Sequence, residues 1–195
     1  MKVVLATGNP GKVAEFQGMI SGVDIEFVAQ HELGVESAEE TGSTFVENAL
    51  IKARHVVALT GLPAIADDSG LVIAGLDGAP GIYSSRYAGE GNSMDACIDK
   101  VLEELGEVAG DERSAYFYTT IVYMTDVDQA APVIVSGIWH GTVLPQRQGV
   151  GGMGYDPIFY VPTHKCSAAE LDMAEKNRIS HRGQAMTLLR EVLGW

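Results

Sequence analysis

The opening stretch, Val3-Val4-Leu5-Ala6 followed by Thr7-Gly8-Asn9-Pro10-Gly11, constrains the fold more than any other part of the chain. Four apolar residues in a row suit a strand buried on both faces, as in a parallel sheet covered by helices. Thr7 to Gly11 breaks the run with turn residues. From Lys12 onward Val13, Phe16, Met19 and Ile20 recur at helical spacing, and Gly22 is the expected stop. Ile25 to Ala29 reads as a second short strand. Strand, tight loop, helix and strand in that order predict an α/β fold.

The pattern continues downstream. Glu32 to Gly42 reads as a polar, acidic loop. A helix then begins at Ser43 or Thr44, where Glu47 completes a capping box with Thr44, and Gly61 stops it ahead of Pro63. Ala64-Ile65-Ala66 is a buried strand ending at Asp67-Asp68-Ser69-Gly70, and Leu71 to Ile73 continues it into a Gly/Pro-rich loop from Gly75 to Gly91. A helix is expected from Asn92 or Ser93 to Leu105. Tyr116–Met124 and Val133–Val143 are rich in β-branched and aromatic residues and read as a long hairpin. A second glycine-rich loop, Gln148 to Tyr155, leads to a short strand at Ile158–Val161. Helices over Ala168–Lys176 and Arg182–Leu193 close the chain. With no repeat and no long linker, residues 1–195 are read as one domain.

Composition limits what this fold can serve. The 195 residues allow a large core without disulfides or a structural metal. Against 26 acidic side chains stand 13 basic ones, a net charge of −13, so a general nucleic-acid partner is disfavoured. One small phosphorylated ligand needs only a local positive pocket. Cys97 and Cys166 lack metal or redox spacing and are read as thiols in a reducing cytosol. No apolar run reaches the roughly 20 residues of a spanning helix, and the N-terminal one is too short for a signal peptide. A cytoplasmic protein with no membrane partner is expected.

Six segments carry possible chemistry. Thr7-Gly8-Asn9-Pro10-Gly11-Lys12 puts glycines and a lysine at a helix start, where backbone N–H groups can meet an anion, although an ordinary strand-to-helix turn reads the same way. Asp67 and Asp68, at the end of an apolar strand, offer hard oxygens suited to Mg²⁺, or an Asx-rich turn. Glu39-Glu40 can add a carboxylate or stay solvated. Asn48, Lys52 and His55 share one helix face, solvent-facing unless a cleft lies beside it. Gly151-Gly152-Met153-Gly154-Tyr155-Asp156 can wrap a flat ligand or form a bulged turn. Lys176 to Arg182 gathers three cations and His181 in an acidic chain, for a nucleotide or for helix-end charge pairing.

Taken together, Thr7–Lys12, Glu39–Gly42, Thr44–Arg54, Ala66–Gly70, Gly78–Tyr87, Gly151–Pro157 and Ile179–Gly183 resemble the inosine/xanthosine triphosphate pyrophosphatase family, in order and over nearly the whole chain. The resemblance implies two α/β lobes around a long mixed sheet with the active cleft between them, and a homodimer. It implies Mg²⁺-dependent hydrolysis of ITP, dITP and XTP to the monophosphate and pyrophosphate. It places the phosphates on Thr7, Gly8, Asn9, Pro10, Gly11 and Lys12, with Lys52 adding charge. It makes Asp68 the proton acceptor and a metal ligand, with Glu40 and Asp67 supporting the metal and Ser69 touching substrate. Met153, Gly154, Tyr155, Asp156, Lys176, His181 and Arg182 would hold base and sugar. Met153 departs from the family, which commonly has phenylalanine there. A pyrophosphatase acting on modified pyrimidines, a nucleotide-binding regulator without turnover, and a phosphatase with an aspartate nucleophile are the competing readings.

Overall fold

The computed structural model describes residues 1–19 and 25–195; the expected helix stop at Gly22 and the contribution of Ile20 lie outside the described residues. In chain order the strands are β1 (Lys2–Leu5), β2 (Glu26–Ala29), β3 (Ala64–Ile73), β4 (Ser114–Met124), β5 (Val133–Val143), β6 (Phe159–Val161) and β7 (Cys166–Ser167). The helices are α1 (Pro10–Met19), α2 (Phe45–Thr60), α3 (Met94–Leu105), α4 (Met173–Ile179) and α5 (His181–Leu193). Neighbouring strands follow the order β2-β1-β3-β4-β5-β6-β7 in one sheet. β1 is parallel to β2 and β3, whereas β6 is antiparallel to β5 and β7, so the sheet is mixed and the fold is α/β.

The chain divides into two compact units. Met1–Asp68, Thr119–Gly137 and Arg182–Trp195 make the first; Ser69–Tyr118 and Ile138–His181 make the second. In the first unit, Val3, Leu5 and Ile65 pack against Phe16 of α1 and Ala185, Met186 and Leu189 of α5. Val4, Ala6, Ala64 and Ala66 turn the other way, onto Ala49, Ala53 and Val56 of α2. Successive strand residues point to opposite faces. Helices on both faces therefore explain why Val3–Ala6 is apolar throughout. Each such aliphatic side chain withdrawn from water contributes about 1.5–3 kcal/mol. α2 has the expected limits: Thr44 and Glu47 form the capping box, and Gly61 closes the helix at φ 65°.

The second unit has its own core. Cys97, Ile98, Val101 and Leu105 of α3 meet Leu71, Ile73, Phe117, Trp139 and Phe159. Ser93 caps α3 through the Ala96 N–H.

The observed elements correct several expectations. Asp67 to Gly70 is not a turn but the middle of β3, which runs unbroken from Ala64 to Ile73. The expected helix at Ala168 is only a short 3-10 turn, Ala168–Glu170, because Asp172 accepts from the Glu175 N–H and starts α4 afresh at Met173. Ile158 closes another 3-10 turn, and β6 starts at Phe159. The loops at Glu32 and Gly75 contain 3-10 turns at Gln30–Leu33, Ala74–Leu76 and Gly81–Arg86. β7, two residues long, has no readable periodicity.

Candidate active site

β3 positions the acidic pair within the first unit. Asp67 follows Ile65 onto the face covered by α1 and α5; Asp68 follows Ala66 onto the α2 face. Strand alternation separates them, and each finds its own cations.

On the α1/α5 face, Asn9 caps α1: its Oδ1 accepts the N–H groups of Gly11 (2.9 Å) and Lys12 (3.3 Å), while its own N–H donates to Thr7 Oγ1 (3.1 Å). This cap sets the loop and aims Lys12 inward. Lys12 Nζ lies 3.0 Å from Asp67 Oδ2. Arg182 donates to the same oxygen through Nη2 (3.0 Å) and Nε (3.2 Å), and its Nη1 pairs with Glu15 of α1. Arg182, Glu15 and Asp67 are all buried. Burial pushes the Lys12 pKa down even though Asp67 opposes it. For Arg182 burial also disfavours the charge, but Asp67 and Glu15 outweigh it and the pKa rises. A buried guanidinium must be matched by charge, and Asp67 and Glu15 provide it.

On the α2 face, Lys52 Nζ bridges Glu40 Oε1 (2.6 Å) and Asp68 Oδ1 (2.9 Å). Asn48, one helical turn before Lys52, donates to Asp68 Oδ2 (3.3 Å) and accepts the Gly42 N–H (2.8 Å). It thereby ties the loop carrying Glu40 to the strand. Gly42 is required there, since a Cβ would come within 2.7 Å of Asn48 Oδ1. Burial pushes the Asp68 pKa up, helped by Glu40 and resisted by Lys52. Lys52 is the converse: burial lowers its pKa, yet Asp68, Asp67 and Glu40 outweigh that and raise it. A carboxylate made easier to protonate is suited to accept a proton from water. His55 does not join this set; it bonds the Glu36 carbonyl (3.0 Å) instead. Glu39 is exposed.

Among the described residues no three His, Cys, Asp or Glu side chains gather as a ready metal cage. Between Glu40 and Asp68 stands the Lys52 ammonium, a cation drawn to that point by two hard-oxygen groups. Their chemistry fits Mg²⁺.

In the second unit, Gly152 and Gly154 adopt φ 74° and 62°, and a Cβ on Gly152 would collide with the Asp156 carboxylate. Asp156 Oδ2 accepts the Met153 N–H (2.7 Å) and pairs with Lys176, both charged groups being buried. The Met153 side chain is half-buried. The Tyr155 ring is core and its hydroxyl donates to the Ser84 carbonyl (2.8 Å). Burial raises its pKa, so the phenol stays neutral. The His181 ring lies nearly parallel to Phe117 (4.8 Å, 11°) and Trp139 (6.5 Å, 15°). Ser69 is half-buried in β3.

One residue of this constellation was not singled out for it. Glu15 is three residues after Lys12, on the same helix face, next to the buried Phe16. Of the stripe Asn48, Lys52 and His55, the first two meet Asp68 and the third does not.

With this geometry in view, comparison with known proteins is specific. The Ham1 family model matches residues 3–192. The dITP/XTP pyrophosphatases of Salmonella paratyphi A and Escherichia coli O157:H7 are each 53% identical over 192 residues, 98% of this chain and 98% of theirs. Among solved structures, a HAM1 protein from Coxiella burnetii superposes with a TM-score of 0.91 at 52% identity, covering 100% of this chain and 98% of its own. A nucleoside-triphosphatase / dITP/XTP pyrophosphatase from Mycobacterium abscessus gives 0.75 at 36% identity, covering 97% and 98%. This chain belongs to the Ham1 family.

Proposed function

We propose that the chain hydrolyses dITP, XTP and ITP to the monophosphate and pyrophosphate, removing non-standard purines from the nucleotide pool. The observation that carries this reading is Asp68, a buried carboxylate of raised pKa held by Lys52 and Asn48. Full-length relatives with dITP/XTP pyrophosphatase names support it. Water attacks the α-phosphorus, Asp68 accepts its proton, and pyrophosphate leaves. Thr7 to Lys12 hold the phosphates at the start of α1, the Lys12 ammonium supplying charge, and Lys52 adds a second positive charge against the developing anion. Glu40 and Asp68 would hold Mg²⁺, with Asp67 behind them on the other face; when bound, the ion neutralises polyphosphate charge.

Met153, Gly154, Tyr155, Asp156, Lys176, His181 and Arg182, with Ser69, are assigned to base and sugar. Hypoxanthine and xanthine carry an acceptor at the six position where adenine carries an amine. A pocket of donors would leave that amine facing donors, and polar pairing of this kind discriminates by roughly 10⁴. Asp156 and Lys176 shape the loop that presents Met153. A thioether offers less stacking surface than a phenyl ring. Met153→Phe is therefore expected to lower KM for ITP by about threefold, since an aromatic pair contributes about 0.5–1.5 kcal/mol; an unchanged KM removes Met153 from the base site.

A homodimer in the cytoplasm completes the proposal; among the described residues no helix is long and apolar enough to cross a membrane. The test is incubation with dITP, dUTP and GTP at one concentration with Mg²⁺, resolving pyrophosphate from phosphate. Pyrophosphate from dITP alone is the expected result. Inorganic phosphate as the first product would overturn the reaction, and preference for dUTP the substrate class.

A further inference from the structure

Glu15 does work in this structure that its position does not announce. It is buried on α1, one turn from Lys12, and its carboxylate holds Arg182 Nη1. A guanidinium presents its donors in a rigid fork, so fixing one nitrogen fixes the direction of the others. The remaining edge, Nε and Nη2, meets Asp67 Oδ2 at 3.2 and 3.0 Å. Lys12 Nζ meets that same oxygen at 3.0 Å. Two carboxylates and two cations thus form a chain, Glu15–Arg182–Asp67–Lys12, whose free end is the lysine of the Thr7–Lys12 loop.

We propose that Glu15 is a positioning residue for Lys12, acting through Arg182 and Asp67 and touching neither substrate nor metal. The inference rests on the reading of Lys12 as the phosphate-holding lysine. Without the Glu15 charge, Arg182 carries its full charge toward Asp67 and can engage both carboxylate oxygens in the bidentate form that guanidinium favours. Asp67 then turns away from Lys12, and the ammonium loses the anchor that aims it at the polyphosphate. A purely packing role for Glu15 would affect stability and leave Lys12 where it is.

The discriminating measurement is a double-mutant cycle on dITP turnover, with the folded fraction of each variant fixed by circular dichroism. Glu15→Gln is expected to lower kcat/KM by about 10–100-fold, and Lys12→Met by about 100-fold. Residues that act as one unit are not additive. In the Lys12→Met background Glu15→Gln should therefore cost less than about twofold. Multiplying effects, or an unaffected Glu15→Gln, overturn the proposal while leaving the phosphate role of Lys12 standing. A fully active Lys12→Met overturns both. If Glu15→Gln fails to fold, Glu15→Asp takes its place: it keeps the charge and withdraws it by one methylene. Its loss of several-fold is expected only when Lys12 is present, and an equal loss in both backgrounds overturns the proposal.

Discussion

Asp68→Asn is expected to lower kcat on dITP by about a thousandfold while the protein stays folded. Removing a positioned general base costs about 10²–10⁴-fold, and the amide has nearly the shape of the carboxylate it replaces. Lys52 keeps Glu40 as its counter-charge at 2.6 Å, so no cation is stranded. The substitution also removes one of two carboxylates that meet at Lys52, which relieves like-charge repulsion. Melting within a few degrees of the parent is therefore expected alongside the lost rate. KM should change less than about threefold if Asp68 acts mainly in the transition state. Turnover in ¹⁸O water adds a second check, because attack at the α-phosphorus places the label in the nucleoside monophosphate. Retention of half the activity would take the proton from Asp68, and label in pyrophosphate would move the attack to another phosphorus.

The chain made its elements more legible than its contacts. Thr44 with Glu47, Gly61 and Ser93 mark helix ends by local hydrogen bonding, so the limits of α2 and the start of α3 follow from short-range chemistry. The buried strands were legible because helices on both faces demand apolar residues at every position. Asp67 to Gly70 misled for the same local reason. Those residues favour a turn in isolation, and only partners distant in sequence, Arg182 on α5 and Lys52 on α2, make an extended acidic strand tolerable. The site shows the same limit. Lys12, Lys52 and the acidic pair stand out by type in their segments, whereas Arg182 belongs with Glu15 and Asp67 through a contact 167 and 115 residues long in sequence. Tyr155 looked like ligand surface because its neighbours are glycines; its ring is core, and its hydroxyl meets the Ser84 carbonyl 71 residues away in sequence.

Lys176→Met is expected to be the most damaging single change to the second unit. Asp156 and Lys176 are 2% and 4% exposed and paired with each other. Breaking a buried pair by removing one partner costs about 3–5 kcal/mol, because the remaining charge is left uncompensated. For a chain of this length that corresponds to a fall in Tm of roughly 6–20 °C. The loop should loosen as well, since the Met153 N–H bond to Asp156 Oδ2 depends on that carboxylate staying in place. Lys176→Met combined with Asp156→Asn separates charge from packing. The amide oxygen can still accept the Met153 N–H, yet no charge is buried alone, so the double variant should recover more than half of the lost stability. Were Lys176→Met to melt within two degrees or so of the parent, the pair would be contributing little, and the fixed geometry of the 152–156 loop would have to come from its glycines and from Tyr155 alone.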